Sequence, residues 1–145
     1  MKHLVVDASV AVKWVLPQAH EKGDEEHLAQ ALSVLHGFRD GEVMLTQPPH
    51  WLAEVGAVLA RFDADVAKAA LVLFDAMEIP TRSEPEIYTL AIELATEMNH
   101  HLFDTLYHAV ALHLPDTTLV TADLRYYRKA RRLGAICPLA DVIHT

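Results

Sequence analysis

The stretch Leu4-Val5-Val6-Asp7-Ala8-Ser9-Val10 constrains this chain more than any other. A short apolar run reaches an aspartate, and Val10, Lys13, Trp14 and Leu16 then recur at helical spacing. An uninterrupted run of this length, followed directly by a helix, reads as a parallel strand buried on both faces. Asp7 then falls where the strand ends and the helix begins, the carboxyl edge at which open α/β sheets bind their ligands. Taken alone, an aspartate there is a helix cap, its carboxylate accepting a hydrogen bond from an early backbone N–H.

The rest of the chain repeats the alternation. Pro17-Gln18-Ala19-His20 ends the first unit, and Asp24 is expected to cap a helix carrying Leu28, Leu32, Leu35 and Phe38. Asp40-Gly41 stops it, Val43-Met44-Leu45-Thr46 is a second strand, and Pro48-Pro49 leads into a helix striped by Leu52, Val55, Leu59 and Phe62. Asp63 caps a further helix with Val66, Ala70, Phe74 and Met77. Residues 78–82 read as a short edge strand, since Pro80 cannot donate to a ladder. Ser83 and Glu86 read as a capping box for the helix of Ile87, Leu90, Leu94 and Met98. A helix from about Phe103, a strand at 118–121, a basic helix at 123–133 and a last strand at 135–137 complete the order. This pattern predicts one domain over residues 1–145 of α/β class, a three-layer α/β/α arrangement around a central, mostly parallel sheet.

Bulk properties fit that expectation. At 145 residues and 52% hydrophobic, the chain can bury one sizeable core. No apolar run approaches the roughly 18 positions that a membrane helix needs. The start lacks the pattern of a cleaved leader, and a lone Cys137 forms no intrachain disulfide, so a reducing cytoplasm is expected. A net charge of −8 argues against polyanion binding by bulk charge. Yet Arg125, Arg128, Lys129, Arg131 and Arg132 crowd one short segment.

Four carboxylates depart from the apolar pattern. Asp123 stands to the strand at 118–121 much as Asp7 stands to Leu4-Val5-Val6, so both fall on one edge of a parallel sheet. Glu54 sits on the shoulder of its helix's apolar arc, near Gly56, where a helix accepts the cost of glycine to let another backbone approach. Asp104 projects beside its own stripe, one turn before His108. Each has an ordinary alternative: a cap, a solvated face, or a charge favourably placed at a helix start. Gathered together they would repel one another and force protonation, and a divalent cation removes that conflict. Oxygen ligands without a thiolate cluster suit Mg²⁺ or Mn²⁺, which activate water and offset charge on a phosphoryl group.

These residues carry a family resemblance. Val5-Val6-Asp7-Ala8-Ser9, then Glu54, then Phe103-Asp104-Thr105-Leu106-Tyr107-His108-Ala109, then Leu119-Val120-Thr121-Ala122-Asp123 resemble the PIN-domain ribonucleases, most closely the VapC-type toxins of toxin–antitoxin pairs. The resemblance spans essentially the whole chain. It implies an endoribonuclease that needs Mg²⁺ or Mn²⁺ and cleaves single-stranded or structured RNA such as tRNA or rRNA. It implies that Asp7, Glu54, Asp104 and Asp123 form the acidic catalytic set, with Asp7, Asp104 and Asp123 on the metal. Ser9 and Thr121 would orient ligands or water beside them. A homodimer and a cognate antitoxin are implied as partners. Phe103 and Thr105 depart from the residues most common at those places, and His100-His101 lies outside the pattern.

Arg125, Arg128, Lys129 and Arg132, with Lys13 as a weaker member, are the candidate RNA contacts, and Tyr126 or Tyr127 could stack on an unpaired base. The ten histidines read as scattered surface residues rather than a metal site. The helices around 51–62 and 66–77 carry more apolar residues than one buried face needs, as an oligomer interface would. Three other functions fit less well. A non-catalytic module could receive a basic partner segment in the acidic cleft. A PIN nuclease could serve RNA processing outside any toxin pair. An aspartyl-nucleophile phosphotransferase usually wants a second aspartate where Ser9 stands.

Overall fold

In the computed structural model, which describes residues 1–16 and 27–142, the apolar runs become strands of one parallel sheet. β1 (Lys2–Val6), β2 (Val43–Leu45), β3 (Thr117–Thr121) and β4 (Ile136–Pro138) lie in the order β2-β1-β3-β4. Val5 pairs with Leu119 and Val6 with Val120, and all four side chains are buried, which is why these strands are continuously apolar rather than alternating. The chain passes outward from β1 to β2, then back across β1 to β3 and β4. Winding therefore reverses between β1 and β3, the switch point beyond whose carboxyl ends open α/β sheets form their binding crevice. Asp7 follows β1 and Asp123 lies just past β3, one on each side of that crevice.

Helices cover the sheet on both faces. α2 (Leu28–Arg39) packs on β2, while α6 (Leu102–His113) packs on β1 and β3. The right-handed crossover rule for parallel strands puts these two on opposite faces, and the expected three-layer α/β/α architecture is present. α3 (Trp51–Ala60) lies against α4 (Ala64–Ala76), and α5 (Pro85–Met98) against α6. The backbone approach expected at Gly56 is corrected: what a Cβ there would meet is the Leu71 side chain of α4, with Cδ1 at 3.1 Å. Asp63 caps α4 through the N–H groups of Asp65 and Val66.

Several local expectations are corrected. The helix after Asp7 is a single turn, α1 (Ala8–Ala11), followed by a tighter 3-10 turn at Val12–Trp14. Residues 78–82 make one bridge, Thr81 to Gln47, rather than a strand, because Pro80 interrupts the donors. The Ser83–Glu86 capping box does not form. Pro85 takes the first helical position, which its fixed φ favours, so Glu84 becomes the N-cap and spends its carboxylate on Arg82 Nε at 2.6 Å. The basic helix, α7 (Leu124–Ala130), tightens into a 3-10 turn at Arg131–Leu133. The turn at Pro17-Gln18-Ala19-His20 and the Asp24 cap lie outside the described residues. Among the described residues no helix is long and apolar enough to cross a membrane.

Candidate metal centre

The two strand-end aspartates are tied together by hydroxyl groups. Ser9 Oγ donates to Asp7 Oδ1 and accepts the Ala122 N–H at 2.9 Å. Thr121 also bonds the Asp7 carboxylate, and its Oγ1 accepts the Asp123 N–H at 3.0 Å. Each hydroxyl thus links a carboxylate on one side of the crevice to backbone on the other. Behind Asp7, the buried Gln47 amide clasps the end of β1. Its Nε2 donates to Val6 O at 2.7 Å and its Oε1 accepts the Val6 N–H at 2.9 Å. A side chain here replaces the next rung of the ladder and fixes the direction in which Asp7 leaves the strand.

The two aspartates use their helix starts differently. Asp123 Oδ1 accepts the Tyr126 N–H at 3.1 Å and caps α7. Asp7 stands at the N-cap position of α1, yet its side chain makes no capping bond. Its carboxyl pKa is pushed up to about 6, first by burial, with negative charge on Asp104 and Asp123 adding to the rise and the Ser9 and Thr121 bonds opposing it.

Glu54 and Asp104 approach from the helices over this edge. Glu54 lies in the first turn of α3, half-buried, and its pKa is pushed up to about 7, chiefly by burial, with Asp104 and Asp7 as neighbouring charges. The Tyr107 hydroxyl faces Glu54 and favours its ionised form, but falls short of a well-formed bond. That hydroxyl is fully buried without a partner, the kind of polar atom a folded protein seldom leaves alone. Burial raises the Tyr107 pKa, and so does the charge of Glu54, Asp7 and Asp104. Beside them His50 Nε2 lies 2.9 Å from Phe103 O and 3.9 Å from Glu54 Oε2; burial lowers its pKa and keeps the ring neutral.

His100 is the residue that the sequence did not single out. Asn99 adopts a left-handed conformation (φ 50°) at the end of α5, and the His100 N–H closes back on Ala95 O at 3.0 Å. This Schellman-type turn throws His100 against the first turn of α6. Its Nε2 lies 2.9 Å from Asp104 Oδ2, and its Nδ1 lies 3.2 Å from Lys129 Nζ. Ligand atoms of His100, Asp104 and Asp123 all fall within 4.8 Å of one another. Asp7 stands outside this tightest group but is coupled electrostatically to two of its members. The expectation of scattered surface histidines is corrected at His108, which is buried; at His100 the geometry is one that could hold an ion. The signal was present in the spacing of His100 and Asp104, four residues apart, but not in anything local to Asp123.

A second histidine holds the frame. His108 is buried, with Nε2 2.8 Å from Gly134 O and Nδ1 2.8 Å from Tyr126 Oη. Its N–H therefore points at the carbonyl, and it accepts the tyrosine hydroxyl, joining α6 to α7 and to the turn after it. Gly134 has φ 76°, which an L side chain would strain.

The basic segment is partly committed within the fold. Lys129 Nζ reaches the terminal carbonyls of α5, Met98 O at 3.5 Å and Asn99 O at 3.4 Å, and Arg132 pairs with Glu97 at 2.7 Å. Arg125 and Arg128 are exposed on α7, and Lys13 is half-buried in the 3-10 turn after α1.

The residues present fit a divalent cation. Hard carboxylate oxygens converge with one imidazole nitrogen, two of the carboxyl groups retain protons well above their usual range, and a buried hydroxyl beside them lacks a partner. Fold and site together define an α/β protein with a carboxylate-lined crevice at the switch point of a parallel sheet. No protein-family model matches the chain, and no curated protein is similar to it in sequence.

Proposed function

We propose that this protein is an endoribonuclease dependent on Mg²⁺ or Mn²⁺, acting as the toxin of a toxin–antitoxin pair in the cytoplasm. One observation carries the reading. Carboxylates from four separate parts of the chain gather at one sheet edge: the charges of Asp104 and Asp123 raise the proton affinity of Asp7, and those of Asp104 and Asp7 raise that of Glu54. The motif order of the PIN-domain ribonucleases, which surrounds the same four residues, supports a nuclease and a toxin.

Asp7, Asp104 and Asp123 would hold the cation, and Glu54 would orient water from the flank. A cation bound there would offset charge on a phosphodiester and lower the pKa of an attacking water. Ser9 and Thr121 bond the Asp7 carboxylate and would hold it in place. Arg125 and Arg128 offer exposed cations on the helix that follows Asp123, where RNA phosphates would lie. The exposed apolar residues Phe62 (50%), Val72 (73%) and Leu73 (60%), around and along α4, are the surface that a second copy or an antitoxin would cover.

Incubation of the purified protein with unstructured and folded RNA tests this reading. Cleavage should require Mg²⁺ or Mn²⁺, stop on chelation, and fall more than about a hundredfold in Asp7→Asn, beyond what loss of an outer partner costs a metal site. Full activity of Asp7→Asn with the metal present would overturn it.

A further inference from the structure

We propose that His100 is a nitrogen ligand of the cation site, which makes this centre select Mn²⁺ over Mg²⁺; the inference rests on reading the crevice as a cation site. Three ligand atoms, His100 Nε2, an Asp104 oxygen and an Asp123 oxygen, already lie within 4.8 Å of one another. Ligands about 2.1 Å from a six-coordinate ion stand roughly 3 Å apart when adjacent and about 4 Å when opposite. The 2.9 Å between His100 Nε2 and Asp104 Oδ2 is the adjacent spacing. A plain helix-end ion pair would account for His100 and Asp104 alone. Asp123 comes from across the switch point, on another element, and completes the triangle.

Next to this group the Tyr107 hydroxyl is buried against Glu54 without a well-formed bond, and it feels the charge of Glu54, Asp7 and Asp104. The rest of the His100 ring is prepared as well. The Lys129 ammonium donates to Nδ1, so Nε2 carries the ring proton and donates to Asp104 in the structure as it stands. For Nε2 to face a cation the ring would take the other tautomer, with the Lys129 ammonium on the Met98 and Asn99 carbonyls that it already approaches. Imidazole nitrogen suits Mn²⁺ and later transition ions, whereas Mg²⁺ holds to oxygen.

Pulsed electron paramagnetic resonance on the protein loaded with Mn²⁺ alone tests the assignment without any activity. Wild type should show nitrogen modulation from a directly bound imidazole. His100→Gln should lose it, while the exposed neighbour variant His101→Gln should keep it. By calorimetry, His100→Gln should lose about tenfold or more in Mn²⁺ affinity while its Mg²⁺ affinity changes less than about threefold. Mn²⁺ bound with no nitrogen modulation, or with modulation that survives in His100→Gln, overturns the role of His100 and leaves the cation site standing. No Mn²⁺ binding by wild type overturns both.

Discussion

At the end of β3, Asp123 gives one oxygen to the Tyr126 N–H and so starts α7; at the end of β1, Asp7 occupies the same N-cap position and caps nothing with its side chain. The two junctions look alike in sequence, an apolar strand, an aspartate and a helix. They differ in what the helix asks of the carboxylate. In the single turn of α1 the Val10 and Ala11 N–H groups bond the Asp7 main-chain carbonyl at 3.1 and 3.2 Å, and none bonds its carboxylate. Asp7 is bound instead by two hydroxyl groups, and its charge is left without a cation in a crowded acidic crevice. The lesson is that an aspartate at a strand–helix junction is informative where it is spared from capping.

The larger prediction concerns Asp7. Its carboxyl pKa stands near 6 in the folded protein against 3.8 for the free side chain. Below about 3.8 both states are protonated and there is no effect. Between about 4 and 6 the folded state keeps a proton that the unfolded chain has lost, so stability falls as pH rises, and above 6 the loss is complete. Glu54, near 7 against 4.5, extends the same trend toward neutral pH. Urea unfolding of the metal-free protein should therefore show Asp7→Asn gaining on wild type between pH 4 and 7, by on the order of 2 kcal/mol. A constant gap across that window would mean that Asp7 is not held in an uncompensated acidic field.

Asp123 should behave otherwise. Asp123→Ala removes a helix cap and should cost about 1 kcal/mol, whereas Asp123→Asn, whose amide oxygen caps equally well, should cost little. Unfolding both variants at one pH separates the cases. Equal losses in the two would assign the role of Asp123 to its charge and erase the contrast between the junctions.

The sheet was readable because parallel strands buried on both faces must be continuously apolar, and Leu4-Val5-Val6 and Leu119-Val120 are. The shared placement of Asp7 and Asp123 followed from that alone. What escaped depends on contacts distant in sequence or on competition between neighbours. Gln47 acts as a rung of the ladder from a loop 41 residues away, which no periodicity records. His100 reaches Asp104 only because Asn99 turns left-handed, and it meets Asp123 across elements that His108 and Tyr126 tie together. His108 reads as part of an apolar stripe, yet its ring pins two helices through Tyr126 and Gly134. Ser83 and Glu86 carried a capping signature that Pro85 overrode from between them.

Calorimetric titration of the metal-free protein with Mn²⁺ at pH 7.5 tests the central claim most directly, because Asp7 is then ionised and the crevice is at its most crowded. Wild type should give a saturable binding isotherm that is lost in Asp104→Asn and comes with a rise in melting temperature, since a ligand bound only by the folded state stabilises it. A flat titration with wild type would contradict the account and leave the acidic crevice as a surface for a basic segment of a partner protein.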